Sequence, residues 1–369
     1  MPTHEHEITA PVDLCTPDGH LNPDAVGWSR TPLHRTHLTG SHLAGSGWGR
    51  NKRWEYWLVS TPTHSIALTL ADIDYLGLAS VHFLEHGDPG DRGDRGSRNA
   101  EGVHGAHGDS PGARPPRELT RTALRPLAHG VHLPPSLGSG PAASLGPIRA
   151  RIRDTAHGTR LRFSCITERG PLSADLTVDL PPGHETMNVV IPWSPTRFQY
   201  TSKHTARPAR GTVRLAGNDI AFTDAWGVLD HGRGRWPYDT RWNWGAAAGR
   251  TDGRVLGLQF GGTWTRGTGL TENALCVDGR LHKIGEELDW DYDLAHPMEP
   301  WRLHVPGSDR VELTFTPFHE RSETTDAGIL VNDTTQCFGH YDGTVRTDDG
   351  RTIAVHALPG FAEDVHMRW

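Results

Sequence analysis

The polar residues best spaced for chemistry fall between Asp224 and Arg241. Asp224, Asp230, His231, Arg233, Arg235, Asp239 and Arg241 crowd one stretch expected to be a long polar, Gly- and Pro-rich loop, which leads into the strand-like Arg241-Trp242-Asn243-Trp244. Asp230 or His231 suits general acid–base work. Indoles from Trp226, Trp236 and Trp242 around a carboxyl would strip it of water and raise its pKa toward neutrality, where it can protonate an alkene or a leaving group. The plainer reading is turn capping, with Asp230 and Asp239 paired to nearby arginines. Glu272, in Thr271-Glu272-Asn273, stands just before an apolar run. Arg53, Lys203 and Arg241 are charges in or beside aromatic, strand-like runs, where a buried charge needs a partner or a cavity. Glu272 with Arg241 or Lys203 is therefore expected as an internal pair. A structural ion pair and a ligand-anchoring one read identically in sequence.

Other chemistries lack their spacing. The 24 histidines include no H-E-x-x-H; His4-Glu5-His6 lies in the N-terminal tail, and His104 and His107 lie in a low-complexity stretch. No metal site is expected. There is no G-x-S-x-G elbow, and Gly-rich Thr39–Gly49 has no Lys-Ser/Thr placed to cradle phosphate. No cofactor is expected.

The elements that must position these groups read as strands. In Arg53–Ser60, alternation puts Trp54, Tyr56 and Leu58 on one face and Glu55, Trp57 and Val59 on the other. Alternating or apolar runs recur at 65–71, 77–84, 161–165, 176–180, 188–192, 211–215, 220–223, 242–248 and 255–260. They continue at 273–277, 301–305, 311–316, 337–341 and 353–361. Asp252-Gly253, Asp278-Gly279 and Asp342-Gly343 are expected hairpin turns. A short helix is expected over Ala71–Tyr75. Residues 86–117 hold almost no apolar side chain and are expected to be a disordered insertion.

Composition agrees. The 43 glycines and 27 prolines supply many turns, and 13 tryptophans compensate for a hydrophobic fraction of only 35%. A net charge of −7 with no evident basic stripe argues against nucleic acid as a partner. The N-terminus has no charged region followed by an apolar one, and no run is long enough to span a bilayer; a cytoplasmic location is expected. Cys15, Cys165, Cys276 and Cys337 are scattered and read as buried free thiols.

Two stretches carry a family resemblance: Arg53–Leu58, and Asp224-Ala225-Trp226-Gly227 followed by Arg241–Trp244, Thr251–Arg254 and Leu256–Phe260. They resemble the Trp-rich strands of the hydroxyneurosporene synthase and AttH-like group, whose halves are each a lipocalin-like barrel. The whole chain is more similar to the domain of unknown function 2804 family. The residues that carry this are Leu21-Asn22-Pro23, Gly27–Arg30, Lys52–Trp54, Arg197–Lys203, Trp236–Tyr238, Thr271–Ala274, Asp278–Arg280, Gly360–Glu363 and Arg368-Trp369.

The resemblance implies a mostly β protein of two tandem lipocalin-like, calycin-type antiparallel β-barrel halves. An extended leader would occupy 1–50, the first half 51–200 and the second 201–369. The family resemblance itself says little about activity. The polar residues clustered near Trp, together with the fold it implies, point to a cofactor-independent hydratase or lyase, isomerase or cyclase acting on a small hydrophobic, isoprenoid- or polyketide-like molecule. The alternatives are a carrier that only binds such a molecule and a structural role with a filled barrel. The expected catalytic residues are Asp230, His231 and Glu272. The expected ligand contacts are Trp54, Tyr56, Lys203, Trp226, Trp236, Arg241, Trp242, Trp244 and Asn273, although any of these tryptophans can equally be plain core.

Overall fold

The computed structural model describes residues 3–38, 47–87, 114–326, 328 and 330–369. Residues 88–113, the bulk of the expected insertion, and most of the Gly-rich stretch 39–49 lie outside them. The described chain is almost entirely antiparallel strand, with one 3-10 turn at Pro23–Ala25. Ala71–Tyr75 is not helical: strand His64–Asp72 ends in a tight bend where Asp74 takes a positive φ of 69°. No helix among the described residues is long and apolar enough to cross a membrane.

Two curled sheets make up most of the molecule, beside a small parallel pair of Val12–Asp13 with His34–Arg35. The first follows the order Arg117–Pro126, Leu76–Glu85, His64–Asp72, Asn51–Ser60, Asn218–Arg235, Arg197–Leu215, Gly170–Asp179, Gly158–Thr167, Ile148–Thr155, Ala142–Leu145, Val131–His132. The second runs Arg280–Ile284, Asn273–Val277, Arg254–Gly262, Asp239–Thr251, Thr352–Arg368, Val331–Arg346, Val311–Asp326, Trp301–His304, Asp289–Asp291. The sheets change over at residues 236–238, so the long strands Arg197–Leu215 and Asn218–Arg235 both belong to the first.

Alternation decides what each strand buries. Leu161, Phe163 and Cys165 point inward while Arg160, Arg162 and Ser164 point out. Because the first sheet curls over, these residues share one core with Trp57, Ile66, Leu68, Phe83 and Leu176 from distant strands. A fully buried Leu or Phe contributes roughly 2 kcal/mol, so this filled interior is the main stabilising mass of the first half. Leu256, Phe260, Trp301, Phe315 and Tyr341 fill the second interior in the same way. All four cysteines are free and buried.

Asn218–Arg235 is one strand through the region expected to be a polar loop. Its glycines serve close packing. A Cβ on Gly227 would meet Val178 at 2.4 Å, and one on Gly234 would meet the Phe198 carbonyl oxygen at 2.3 Å. Asp342-Gly343 is likewise no hairpin turn. It lies within Val331–Arg346 at a register shift between Tyr341 and Gly343, a bulge in which the Ala357 N–H donates to Asp342. Asp252-Gly253 and Asp278-Gly279 do turn hairpins, all four residues with positive φ.

Residues 3–38 are short extended pieces packed into both halves. Trp28–Ser29 pairs with Met187–Ser194, Leu14 and Leu21 pack on Phe198 and Tyr200, and Glu5 forms a buried ion pair with Lys283 of the second sheet.

Candidate functional site

Between the two sheets, facing rows of side chains enclose a cavity of about 130 Å³. From the first sheet, Lys203, Asp230 and Tyr56 occupy register-matched positions on three neighbouring strands, so their side chains share one face. Gln199 and Trp54 extend that face. From the second sheet comes a cross-strand row of Trp244, Glu363, Gln336 and Arg321, each directly opposite the next. Glu272 and Trp264 enter from the connection between Arg254–Gly262 and Asn273–Val277.

Two glycines make room for the polar groups. A Cβ at Gly261 would meet the Glu272 Cβ at 2.8 Å, and one at Gly232 would meet Gln199 Nε2 at 2.5 Å. Asn273, next to Glu272, ties the neighbouring segments together from outside the cavity: its Oδ1 accepts from the Gly261 N–H at 2.9 Å, and its Nδ2 donates to the Glu286 carbonyl at 3.0 Å.

Lys203 is the hub. Its Nζ lies 3.1 Å from Asp230 Oδ1, 4.0 Å from Glu272 Oε2, and 4.0 Å from the centroid of the Trp244 ring. The Thr201 hydroxyl donates to Asp230 at 3.0 Å. Glu272 is buried, and its Oε1 accepts no hydrogen bond of normal geometry, although the Trp264 indole stands close enough to favour the ionised form. Burial raises its pKa to about 7, with Asp230 adding to the rise and Lys203 opposing it. Glu363 is also raised by burial to about 7, against hydrogen bonds from the Trp242 indole (3.1 Å) and Gln336 (2.9 Å). Two buried carboxyls are thus poised near neutrality beside one ammonium.

Indoles form the rest of the wall. The rings of Trp236, Trp242 and Trp264 stand 5.4 to 6.1 Å apart, and Trp369 packs on Trp236 at 5.1 Å. The Trp236 indole donates to Gln199. A second cavity, about 170 Å³, shares Trp54, Leu78, Thr122 and Met367 with the first and adds Leu76, Leu124 and Val331. The first cavity is lined mainly by charged groups and indoles, the second mainly by aliphatic side chains together with Glu323, Asn332 and Arg368.

The structure brings together Asp230, Glu272, Lys203, Trp54, Tyr56, Trp236, Trp242 and Trp244 from the expected set. It does not bring in His231, Trp226, Arg241 or Asn273. His231 follows Asp230 on a strand and so faces the opposite way, where its Nδ1 meets Glu55 at 2.7 Å in a buried polar network. Burial and the Arg233 guanidinium hold its pKa down. Trp226 packs on Ala206, Ala248 and Cys276. Arg241 precedes Trp242 and points to solvent. The expected Glu272–Lys203 pair is present, and its Arg241 alternative is not. Glu363, Gln336, Gln199 and Trp264 were missed; the signal for Glu363 was its place two residues after Phe361 on an alternating strand.

No curated protein matches the chain. Solved structures of similar chain course include an AttH candidate from Nitrosomonas europaea, 12% identical, covering 92% of this chain and 98% of that one at a TM-score of 0.40. CghA with Sch210972 is 9% identical over 86% of this chain and 88% of its own, at 0.41. Kievitone hydratase from Nectria haematococca is 8% identical over the same shares, at 0.38. At these values the likeness has no chemical implication. Family membership rests instead on the sequence, which matches over residues 5–369: the chain belongs to the family described as domain of unknown function 2804.

Proposed function

We propose that the chain is a cofactor-independent acid–base enzyme acting on a small, largely hydrophobic molecule held between the two sheets. The observation that carries this reading is Glu272: a buried carboxyl titrating near 7, in contact distance of Lys203 and surrounded by indoles. A carboxyl in that state delivers a proton to an alkene carbon or a departing hydroxyl. The faces of Trp242 and Trp264 favour the positive charge that develops on carbon, while Trp244 is engaged by the Lys203 ammonium. A second carboxylate, Glu363 or Asp230, then removes a proton from the neighbouring carbon, which completes an isomerisation or cyclisation, or deprotonates an attacking water, which completes a hydration. Each route is redox-neutral and returns both carboxyls to their starting states once a proton is exchanged between them. The aliphatic cavity suits the apolar part of the substrate.

The test compares wild-type protein with Glu272→Gln and Asp230→Asn after incubation with an apolar extract of the producing organism, followed by mass spectrometry. Wild type is expected to convert a compound to an isomer or to a product differing by one water. Glu272→Gln should retain the compound and convert it at least about a hundredfold more slowly. Retention with no conversion by the wild type would establish the carrier alternative. Equal conversion by both variants would remove these residues as the acids.

A further inference from the structure

Away from the cavity, the outer face of the first sheet carries a cross-strand array of arginines. Arg149, Arg151 and Arg153 alternate on Ile148–Thr155; Arg160 and Arg162 alternate on the next strand; Arg210 and Arg214 stand two strands beyond. All are exposed. Arg151 lies directly opposite Arg162, and Arg153 opposite Arg160. Like charges in that relation destabilise a sheet, so folding alone gives no reason for them. Asp175 pairs with Arg160 and Arg162, Asp179 with Arg210, and Asp219 with Arg214. Among the described residues, no carboxylate pairs with Arg149, Arg151 or Arg153. The face is therefore net basic on a chain whose formal charge is −7.

Its shape and composition narrow the partner. Ser164, Ser173 and Thr212 line a shallow trough of about 840 Å³ with Arg149, Arg151, Arg162 and Arg214, and its one carboxylate, Asp175, is paired with Arg160 and Arg162. Arg and hydroxyl groups together suit phosphate oxygens. Ile166, 57% exposed, lies on the same face at the end of the strand, opposite Pro171. An apolar side chain beside a basic array is the pairing used at bilayer interfaces, where the cations meet headgroup phosphates and the apolar group enters the acyl boundary. No Trp, Tyr or Phe side chain is exposed on this face among the described residues, and the one exposed ring lining the trough is the imidazole of His132, so the row of stacking platforms of a single-strand nucleic-acid binder is missing.

We propose that this face docks the protein on an anionic phospholipid surface, with the arginine array on headgroup phosphates and Ile166 inserted. The inference is independent of the acid–base reading of the cavity.

Co-sedimentation with vesicles tests it. The full-length protein should bind vesicles of equal parts phosphatidylglycerol and phosphatidylcholine, release as salt rises, and ignore pure phosphatidylcholine. Arg151→Gln/Arg162→Gln should lower partition by about thirtyfold, and Arg149→Gln/Arg214→Gln by a similar factor. Ile166→Ser should lower it by about tenfold. These are solvent-facing positions, and relief of the Arg151–Arg162 repulsion favours the fold; an unchanged thermal transition verifies that each variant is native. No partition onto the mixed vesicles, equal partition onto both kinds, or arginine variants that bind as wild type would each overturn the proposal. So would displacement from vesicles by duplex DNA at equal phosphate concentration, which would assign the face to nucleic acid.

Discussion

The interior of the first sheet and the gap between the sheets are built from the same kinds of strand, yet they are opposites. The interior is filled by Trp57, Leu68, Phe83, Phe163 and Leu176. The gap, lined by alternate residues of some of the same strands, holds Lys203, Asp230, Glu272 and Glu363 among indoles and keeps open space. Trp57 and Tyr56 are neighbours in sequence, and one is core while the other is cavity wall. A lipocalin-like half suggests a ligand inside its own barrel; here each half fills its inside, and the polar, indole-lined cavity lies where two outsides meet.

That division is open to attack from either side. The largest effect is expected in the filled interior: Phe83→Ala should destabilise the protein by about 3 to 5 kcal/mol in denaturant titration, while the native fraction keeps the binding proposed for the gap. If binding fell in step with the folded fraction's loss of packing, the two regions would not be separate.

The gap should reveal itself through pH. Burial lifts Glu272 and Glu363 from the ordinary value of 4.5 to about 7 in the folded chain. The folded state then holds protons that the unfolded chain has already released, so stability falls as pH rises between about 4.5 and about 7. Each carboxyl accounts for a loss on the order of 2 to 3 kcal/mol across that window. Glu272→Gln and Glu363→Gln should each flatten the decline, as measured by unfolding at a series of pH values. A wild-type slope that survives both substitutions would mean the carboxyls ionise normally in place.

The smallest effect belongs to Tyr56. Its hydroxyl is buried at the cavity wall with no hydrogen bond of normal geometry, although Gln336 stands close enough to oppose the rise in pKa that burial causes. Tyr56→Phe should be neutral or stabilising by up to about 1 kcal/mol. A loss of ligand binding in that variant, with stability unchanged, would show that the hydroxyl is kept for the occupant of the gap.

Much of this architecture could be read from alternation alone. Trp54 and Tyr56 fall on one face and Trp57 and Val59 on the other as their spacing requires. The error at 224–241 came from reading Gly227, Gly232 and Gly234 as turn residues, when they are strand glycines that admit neighbouring side chains and backbone. Once that segment is a strand, parity alone separates Asp230 from His231. Glu363 and Gln336 escaped because their partners, Trp242 and each other, lie across the sheet and far along the chain. The basic face escaped for another reason: Arg149, Arg151, Arg153, Arg160 and Arg162 lie close in sequence but read as the outward half of alternating strands, and only strand pairing sets them side by side and near Arg210 and Arg214.

The N-terminal segment carries one more implication. Glu5 accepts a hydrogen bond from the Thr271 N–H at 2.6 Å and pairs with Lys283, whose ammonium also donates to Thr271 Oγ1 at 2.7 Å. The residue just before Glu272 is therefore braced by a strut from the opposite end of the polypeptide, one whose Trp28 is woven into the first sheet. Such a chain is a poor subject for modular exchange. A second half cut away and grafted elsewhere would bring its carboxyl but leave its brace behind, together with a stranded internal lysine. Recombination or fragment complementation should succeed only when the first few residues travel with the half they do not belong to.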